Sequence, residues 1–412
     1  MSVWHPFTQL RGFEPLGEVV AAEGAWLHLA DGRRLLDGIS SWWVTLHGHA
    51  RPEIAAAVAA QAARLDQVIL ADFVHPAAAS LTAALQGVLP GGPKRVFFSD
   101  DGSTAVEVAL KMAWQHQREK ASGRHRLVAF EGGYHGDTLG AMSVGARDVF
   151  TLCFEGMLLP VTFLPYDDVD ALETFFAAHG DAVVAAIVEP MVQCAGGMRV
   201  ASPQFLQALD AAVHRAGALW IADEVAVGFG RTGRMWGCDH ASVSPDLVAL
   251  SKGLTGGTLP MGITAASEAI YESFLGADKR SAFLHGHSYT GNPIAAAAAL
   301  ASLHLVRQED TPAKFAAFEV TYRGWFDRVR SRAALANPRA LGGIFAFDIA
   351  DGGGYHDPIG RRVQAAALRR GLYVRPLGSV VYLMPPAAVT LAELDAACEG
   401  LLASVDEALE AR

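Results

Sequence analysis

Short apolar runs and stretches of helical period alternate through most of the chain. Residues 95–98, 126–130, 183–188, 218–222 and 247–250 are runs of strand length, apolar apart from the leading Arg95 and Arg126. Residues 104–117 and 203–216, between them, repeat apolar positions at helical spacing. Upstream, residues 52–65, with Ile54, Val58 and Leu65 on one side, and residues 76–89 also predict helices. Residues 1–45 read as an irregular arm with short strands, and Asp31-Gly32 marks a turn between 25–29 and 34–36. This alternation predicts an α/β fold with a mostly parallel central sheet and helices on both faces. Past residue 300 the pattern changes. A helix runs on to about Val306, strands are expected at 343–348 and 380–383, a helix at 360–370, and a last helix at 390–409 with Thr390 as N-cap. These runs suggest a smaller α+β domain. The expected division is an arm over 1–45 that joins the small domain, a large domain over 46–300, and the small domain over 301–412.

In sheets of this kind ligands bind beyond the carboxyl ends of the strands. The reactive residues of this chain fall there: Asp100-Asp101-Gly102-Ser103, Glu131 to Asp137, Glu189-Pro190, Asp223-Glu224 and Lys252 each follow an apolar run. Lys252 and Asp223 together suit pyridoxal 5′-phosphate (PLP), whose aldehyde condenses with an amine and whose pyridine nitrogen needs a carboxylate partner. Gly102 and Ser103 open a helix, where free amides and the helix dipole favour a phosphate; capping by Ser103 or Thr104 with Glu107 is the simpler use of the same residues. Tyr134 stands where it can stack on a cofactor plane. His287-Ser288, before Pro293, offers a second hydroxyl-bearing turn at a helix start, available for a further phosphate contact from a partner subunit.

The chain has 412 residues, half of them hydrophobic, and a net charge of −10. A large core is available, and the acidic balance argues against general nucleic-acid binding. Cys153, Cys194, Cys238 and Cys398 are far apart, which suits free thiols in a reducing compartment. No secretory signal or bilayer-length apolar run is visible, so a soluble cytoplasmic protein is expected.

Other motifs carry less. Gly228-Phe229-Gly230-Arg231-Thr232-Gly233 matches G-x-G-x-x-G but opens no helix, which excludes a dinucleotide site; Arg231 remains a candidate for a substrate carboxylate. His47-Gly48-His49 and His285-Gly286-His287 lack the spacing and the accessory ligands of a metal site, and no metal is expected. Ser143 lacks the first glycine of a nucleophile elbow.

Together these segments resemble the class III aminotransferases of PLP fold type I. The matching blocks are Phe98 to Glu107, Gly133 to Asp137, Ile221 to Val225 with Gly228 to Gly233, Ser251 to Gly257, and Thr290 to Pro293. A narrower similarity, in Trp4 to Thr8, Asp37 to Trp43, Val374 to Gly378 and Tyr382 to Pro386, is to the branch that transaminates 8-amino-7-oxononanoate in biotin biosynthesis with S-adenosylmethionine as donor. The resemblance implies Lys252 as the Schiff-base lysine, Asp223 at the pyridine nitrogen and Tyr134 on the ring. It implies Gly102 and Ser103 at the phosphate, with His287 and Ser288 from the second subunit of a homodimer. Trp42, Trp43 and Gly286 would shape the substrate pocket, and Arg375 would take the oxononanoate carboxylate. Phe7 stands where the branch often has tyrosine, and His287-Ser288 where it often has Pro-Thr. These departures keep a second expectation open: a class III enzyme using an ω-amino acid, a diamine or lysine.

Overall fold

The computed structural model describes residues 3–120, 122–350 and 352–411. Its centre is a seven-stranded sheet in the order Arg95–Ser99, Gly262–Ala266, Leu247–Leu250, Leu219–Asp223, Val183–Val188, Arg126–Phe130, Val161–Leu164. Four neighbouring pairs are parallel, and only Gly262–Ala266 runs against its two neighbours. Reversal on both sides of that strand returns Arg95–Ser99 to the common direction, so its end at Asp100 lies on the same sheet edge as Asp223 and Lys252.

The five inner strands are buried on both faces, the two edge strands only in part, and alternation divides their side chains between two cores. Val128, Ala186, Trp220, Ala222 and Val248 belong to one; Leu127, Ala129, Ile187, Ile221 and Ala249 belong to the other, under the helix Gly102–Glu119. This is the period-two signature of a sheet covered by helices on both faces. The strand Gly262–Ala266, whose sequence is GITAA, has too little apolar bulk to stand out in the sequence, and Val161–Leu164 was likewise not foreseen.

The N-terminal strands Val19–Glu23, Trp26–Leu29 and Arg34–Asp37 form a second sheet with Leu372–Tyr373, which pairs in parallel with Arg34–Asp37. A third, antiparallel sheet holds Leu335–Leu341, Ile344–Ile349 and Val380–Leu383. The last helix, Leu391–Glu410, is capped by Thr390, whose side chain accepts from Glu393 N while Glu393 answers with a carboxylate. The helix after the first phosphate-type turn begins two residues earlier than its period suggested. Asp101 caps it and Thr104 completes the box, instead of Ser103 or Thr104 with Glu107. Glu107 accepts from the amides of Gly140 and Ala141.

Candidate active site

The strand Leu219–Asp223 ends on Asp223, and Val183–Val188 delivers Glu189 one residue beyond its end. Asp223 is buried; its Oδ1 accepts from Val225 N at 3.1 Å, and its Oδ2 lies 2.7 Å from His135 Nδ1. The Glu189 carboxylate accepts from Tyr134 N and Cys194 N, each at 3.0 Å. Burial is the main reason its pKa is pushed up to about 7; His135 opposes the rise and the Asp223 charge adds to it. Tyr134 directs its hydroxyl to Asp137 Oδ2 at 2.9 Å, and burial, with that carboxylate, raises its pKa well above the usual phenol value.

Lys252 follows the strand Leu247–Leu250 with φ 45°, a left-handed backbone uncommon for a side-chain-bearing residue. Ser251 anchors the turn by donating to Met261 O at 2.7 Å. Lys252 Nζ sits 4.8 Å from the centre of the Trp43 ring, and burial pulls its pKa below the ordinary amine range. A lysine depressed by an apolar wall is closer to the free amine that carbonyl chemistry requires.

Asp223, Glu189, Tyr134, His135 and Lys252 share a cavity of about 340 Å³ with Gly102 and Ser103. A Cβ on Gly102 would stand 2.7 Å from Val225 Cγ1, so glycine keeps the first helical turn close to the cavity wall. First-turn amides have no partner inside their own helix. Asp101 satisfies Thr104 N, and Gly102 and Ser103 open the helix at the cavity wall. Ser103 Oγ accepts from Asp137 N at 3.2 Å, which ties this turn to the Tyr134 loop. Gly136, at φ 126°, leaves the room that Ser103 occupies.

Trp42 and Trp43 lie on a strained turn. Ser40, Ser41, Trp42 and Trp43 have φ of 50°, 57°, 146° and 69°, a run that persists only where surrounding contacts over-determine it. Asp37 accepts from Ile39 N and Ser41 Oγ, and His49 Nε2 lies 2.9 Å from its Oδ2. Ser40 Oγ donates to Met384 O at 2.7 Å, and Trp43 Nε1 donates to the Tyr382 hydroxyl at 3.1 Å. Arg231 belongs to this scaffold and does not line the cavity. It is 1% exposed and donates to Pro385 O at 2.6 Å and Ser40 Oγ at 3.2 Å. The expectation that it meets a substrate carboxylate is therefore corrected: its donors are turned toward protein, and its guanidinium lies 4.5 Å from the Phe315 ring centre.

Arg375 lies with its guanidinium 5.0 Å from the Trp42 ring centre. Gly286, His287 and Ser288 are absent from this cavity's lining and sit on the turn before the helix Pro293–Gln308. His287 Nδ1 is 3.4 Å from Asp100 Oδ2, and Ser288 O accepts from Gln67 Nε2 at 2.8 Å. His47 bonds to Ser302 Oγ at 3.0 Å while His49 bonds to Asp37, so the two face different partners. Among the described residues no group of His, Cys, Asp or Glu is arranged to hold a metal ion.

Sequence reading missed roles for His135 and Glu189, although both were in view at strand ends. The signal for His135 was its place between Tyr134 and Gly136; nothing local tells that it meets Asp223, 88 positions away.

The sequence model of the family Aminotransferase class-III matches residues 12–405. A protein of Synechococcus elongatus named adenosylmethionine-8-amino-7-oxononanoate aminotransferase is 50% identical over 408 residues, covering 95% of each chain. The crystal structure of the protein of that name from Methanocaldococcus jannaschii superposes with a TM-score of 0.95 at 31% identity, over 98% of this chain and 97% of that one. An amine transaminase from an uncultivated Pseudomonas species, solved in a PLP-bound form, superposes with a TM-score of 0.91 at 30% identity, over 99% of both chains.

Proposed function

Because the chain belongs to the class III aminotransferases, we propose that it is a PLP-dependent transaminase of biotin biosynthesis. It moves the amino group of S-adenosylmethionine to 8-amino-7-oxononanoate, giving 7,8-diaminononanoate. The observation that carries this reading is the convergence of Lys252, Asp223 and the Gly102-Ser103 turn on one cavity. Their spacing in kind suits PLP: an amine for its aldehyde, a buried carboxylate for its ring nitrogen, and a helix start for its phosphate. When bound, the cofactor supplies an electrophilic carbon for the substrate amine and a ring that accepts electrons.

Each residue then has a task. Asp223, held by Val225 N and His135, would be the carboxylate partner of the ring nitrogen. Gly102 and Ser103 hold the phosphate, and Tyr134 covers a face of the ring. Lys252 Nζ would anchor the cofactor; once freed, its amine would take the α-proton of the donor and release it to the cofactor's aldehyde-derived carbon within the same half-reaction, and would carry a proton the opposite way, onto the acceptor's carbon, in the second. Trp42 and Trp43 wall the substrate space and exclude water, and the bonds of Asp37 with Ser41 and of Ser40 with Met384 and Arg231 keep their turn in place. Arg375 pairs with the carboxylate of the oxononanoate.

The same reading makes the protein a cytoplasmic homodimer, with Gly286, His287 and Ser288 reaching the partner's site. Support comes from exposed apolar residues. Ile69, Phe73, Val74 and Tyr289 stand open on segments joined by the bonds from Asn292 to Asp66 and from Gln67 to Ser288. Among the described residues no helix is long and apolar enough to cross a membrane.

The test is a half-reaction. Purified holo-protein is mixed with S-adenosylmethionine alone, and separately with lysine and with an ω-amino acid, while cofactor absorbance is followed. A spectral change with S-adenosylmethionine supports the donor assignment. A change with lysine only overturns it, and a change with ω-amino acids only overturns the assignment to biotin synthesis.

A further inference from the structure

Five aromatic rings form a continuous array that begins at the cavity and leaves it. Tyr134, in the cavity wall, lies 6.5 Å from Phe150 between ring centres. Phe150 in turn lies 5.8 Å from Phe7 and 4.7 Å from Tyr355. Phe7 continues to Trp42 at 5.3 Å, and the Arg375 guanidinium lies 5.0 Å from the Trp42 ring centre. All four ring contacts are edge-to-face, with interplanar angles of 64°, 76°, 70° and 68°.

This array is not core. Phe7 and Tyr355 are 44% and 39% exposed, and Phe150 and Trp42 are half-buried. Burial does not account for keeping large rings open to water beside the cavity, whereas a ligand with a cationic or flat aromatic part does. The rings come from distant parts of the chain. Tyr355 lies on the short turn Gly354–His356, held by Ser379 N donating to Gly354 O at 3.3 Å and by Gly353 N donating to Asp357 Oδ2 at 2.7 Å.

The two substrates differ in what they would present to such rings. The donor carries a permanent sulfonium charge and a planar adenine; the acceptor carries an aliphatic chain that ends in a carboxylate, for which Arg375 stands at the opposite end of the array. We infer that Tyr355, seated on Phe150, is a donor-specificity residue, its ring forming the outer wall that receives the adenosyl sulfonium part of the donor. This rests on the donor reading given above. The ring face, not the hydroxyl, makes the contact.

The holoenzyme variants Tyr355→Phe, Tyr355→Leu and Tyr355→Ala are compared with wild type in separate half-reactions. One uses S-adenosylmethionine; the other uses 8-amino-7-oxononanoate with the aminated cofactor form. Loss of the ring in Leu and Ala is expected to raise the donor concentration for half-maximal rate about 3- to 30-fold, with the acceptor value held within about twofold and Phe close to wild type. A Leu variant with unchanged donor dependence overturns the inference, as does an equal rise for both substrates, or a Phe variant as impaired as Ala. A wild-type enzyme that does not respond to S-adenosylmethionine removes the donor reading and this inference together. That outcome is visible before any variant is examined; a failure confined to the variants overturns the role of Tyr355 alone.

Discussion

Replacing Arg231 with methionine separates a scaffold residue from a substrate-binding one. The guanidinium is fully buried and gives two hydrogen bonds, to Pro385 O at 2.6 Å and Ser40 Oγ at 3.2 Å. Burial lowers its pKa to about 10, which still leaves it charged at neutral pH. Hydrogen bonds from a charged donor contribute about 1.5–3 kcal/mol each, and the acceptors left behind are buried. Methionine recovers part of the cost of desolvating a cation, which amounts to several kcal/mol. The net loss is about 3 kcal/mol. At roughly 2.1 cal/mol/K per residue of unfolding entropy, this lowers the melting temperature of a chain of this length by about 3–4 °C. A second effect follows from Ser40. Once Ser40 keeps only its bond to Met384 O, the left-handed run through Trp43, at about 1–3 kcal/mol of strain per residue, can relax and shift both tryptophans. Thermal melts of the apo-protein by circular dichroism, with half-reaction kinetics on the holo-protein, measure both effects. Lower stability together with weaker use of both substrates is expected. A variant with wild-type melting temperature and a defect in one substrate only would refute the scaffold assignment and restore Arg231 as a carboxylate receptor.

Gly102→Ala forces a Cβ to 2.7 Å from Val225 Cγ1; overpacking of this kind costs about 1–3 kcal/mol, and PLP titration of the apo-protein should show weaker binding. Arg375→Ala removes a charge-assisted contact of about 1.5–3 kcal/mol, so KM for 8-amino-7-oxononanoate should rise roughly 10- to 150-fold and more than KM for the donor; an equal rise in both would argue against its assigned role. Glu224 is fully buried, accepts from the amides of Gly237 and Cys238, and has its pKa raised to about 7, chiefly by burial. Its folded pKa lies above the unfolded one. Its share of stability is therefore complete below about pH 4.5 and is lost toward pH 7, at up to about 1.4 kcal/mol per pH unit. Denaturant unfolding should find Glu224→Gln furthest below wild type near pH 4, with the gap closing toward pH 7; a gap independent of pH would contradict this.

The chemistry-bearing ends of the sheet were readable because local pattern encodes them. Val183–Val188 and Leu247–Leu250 are unbroken apolar runs, and a lysine or carboxylate directly after such a run stands at a strand's carboxyl end. Thr390 with Glu393 likewise announces a helix start from four residues. What stayed hidden depends on contacts between distant positions. Arg231 looked available because its own loop is polar and glycine-rich; Pro385, 154 positions on, is what occupies it. The left-handed run at Ser40 to Trp43 has no glycine to reveal it, and its supports at Met384, Tyr382 and Arg231 come from remote segments. The strand Gly262–Ala266 escaped notice because its small residues fill a position where neighbours already supply the apolar bulk.

Borohydride reduction of the holo-protein, followed by peptide mass spectrometry, asks which nitrogen carries the cofactor. A phosphopyridoxyl group on the peptide that contains Lys252, and on no other, is the predicted result. Recovery of that peptide unmodified, with the label on another lysine or on none, would contradict it.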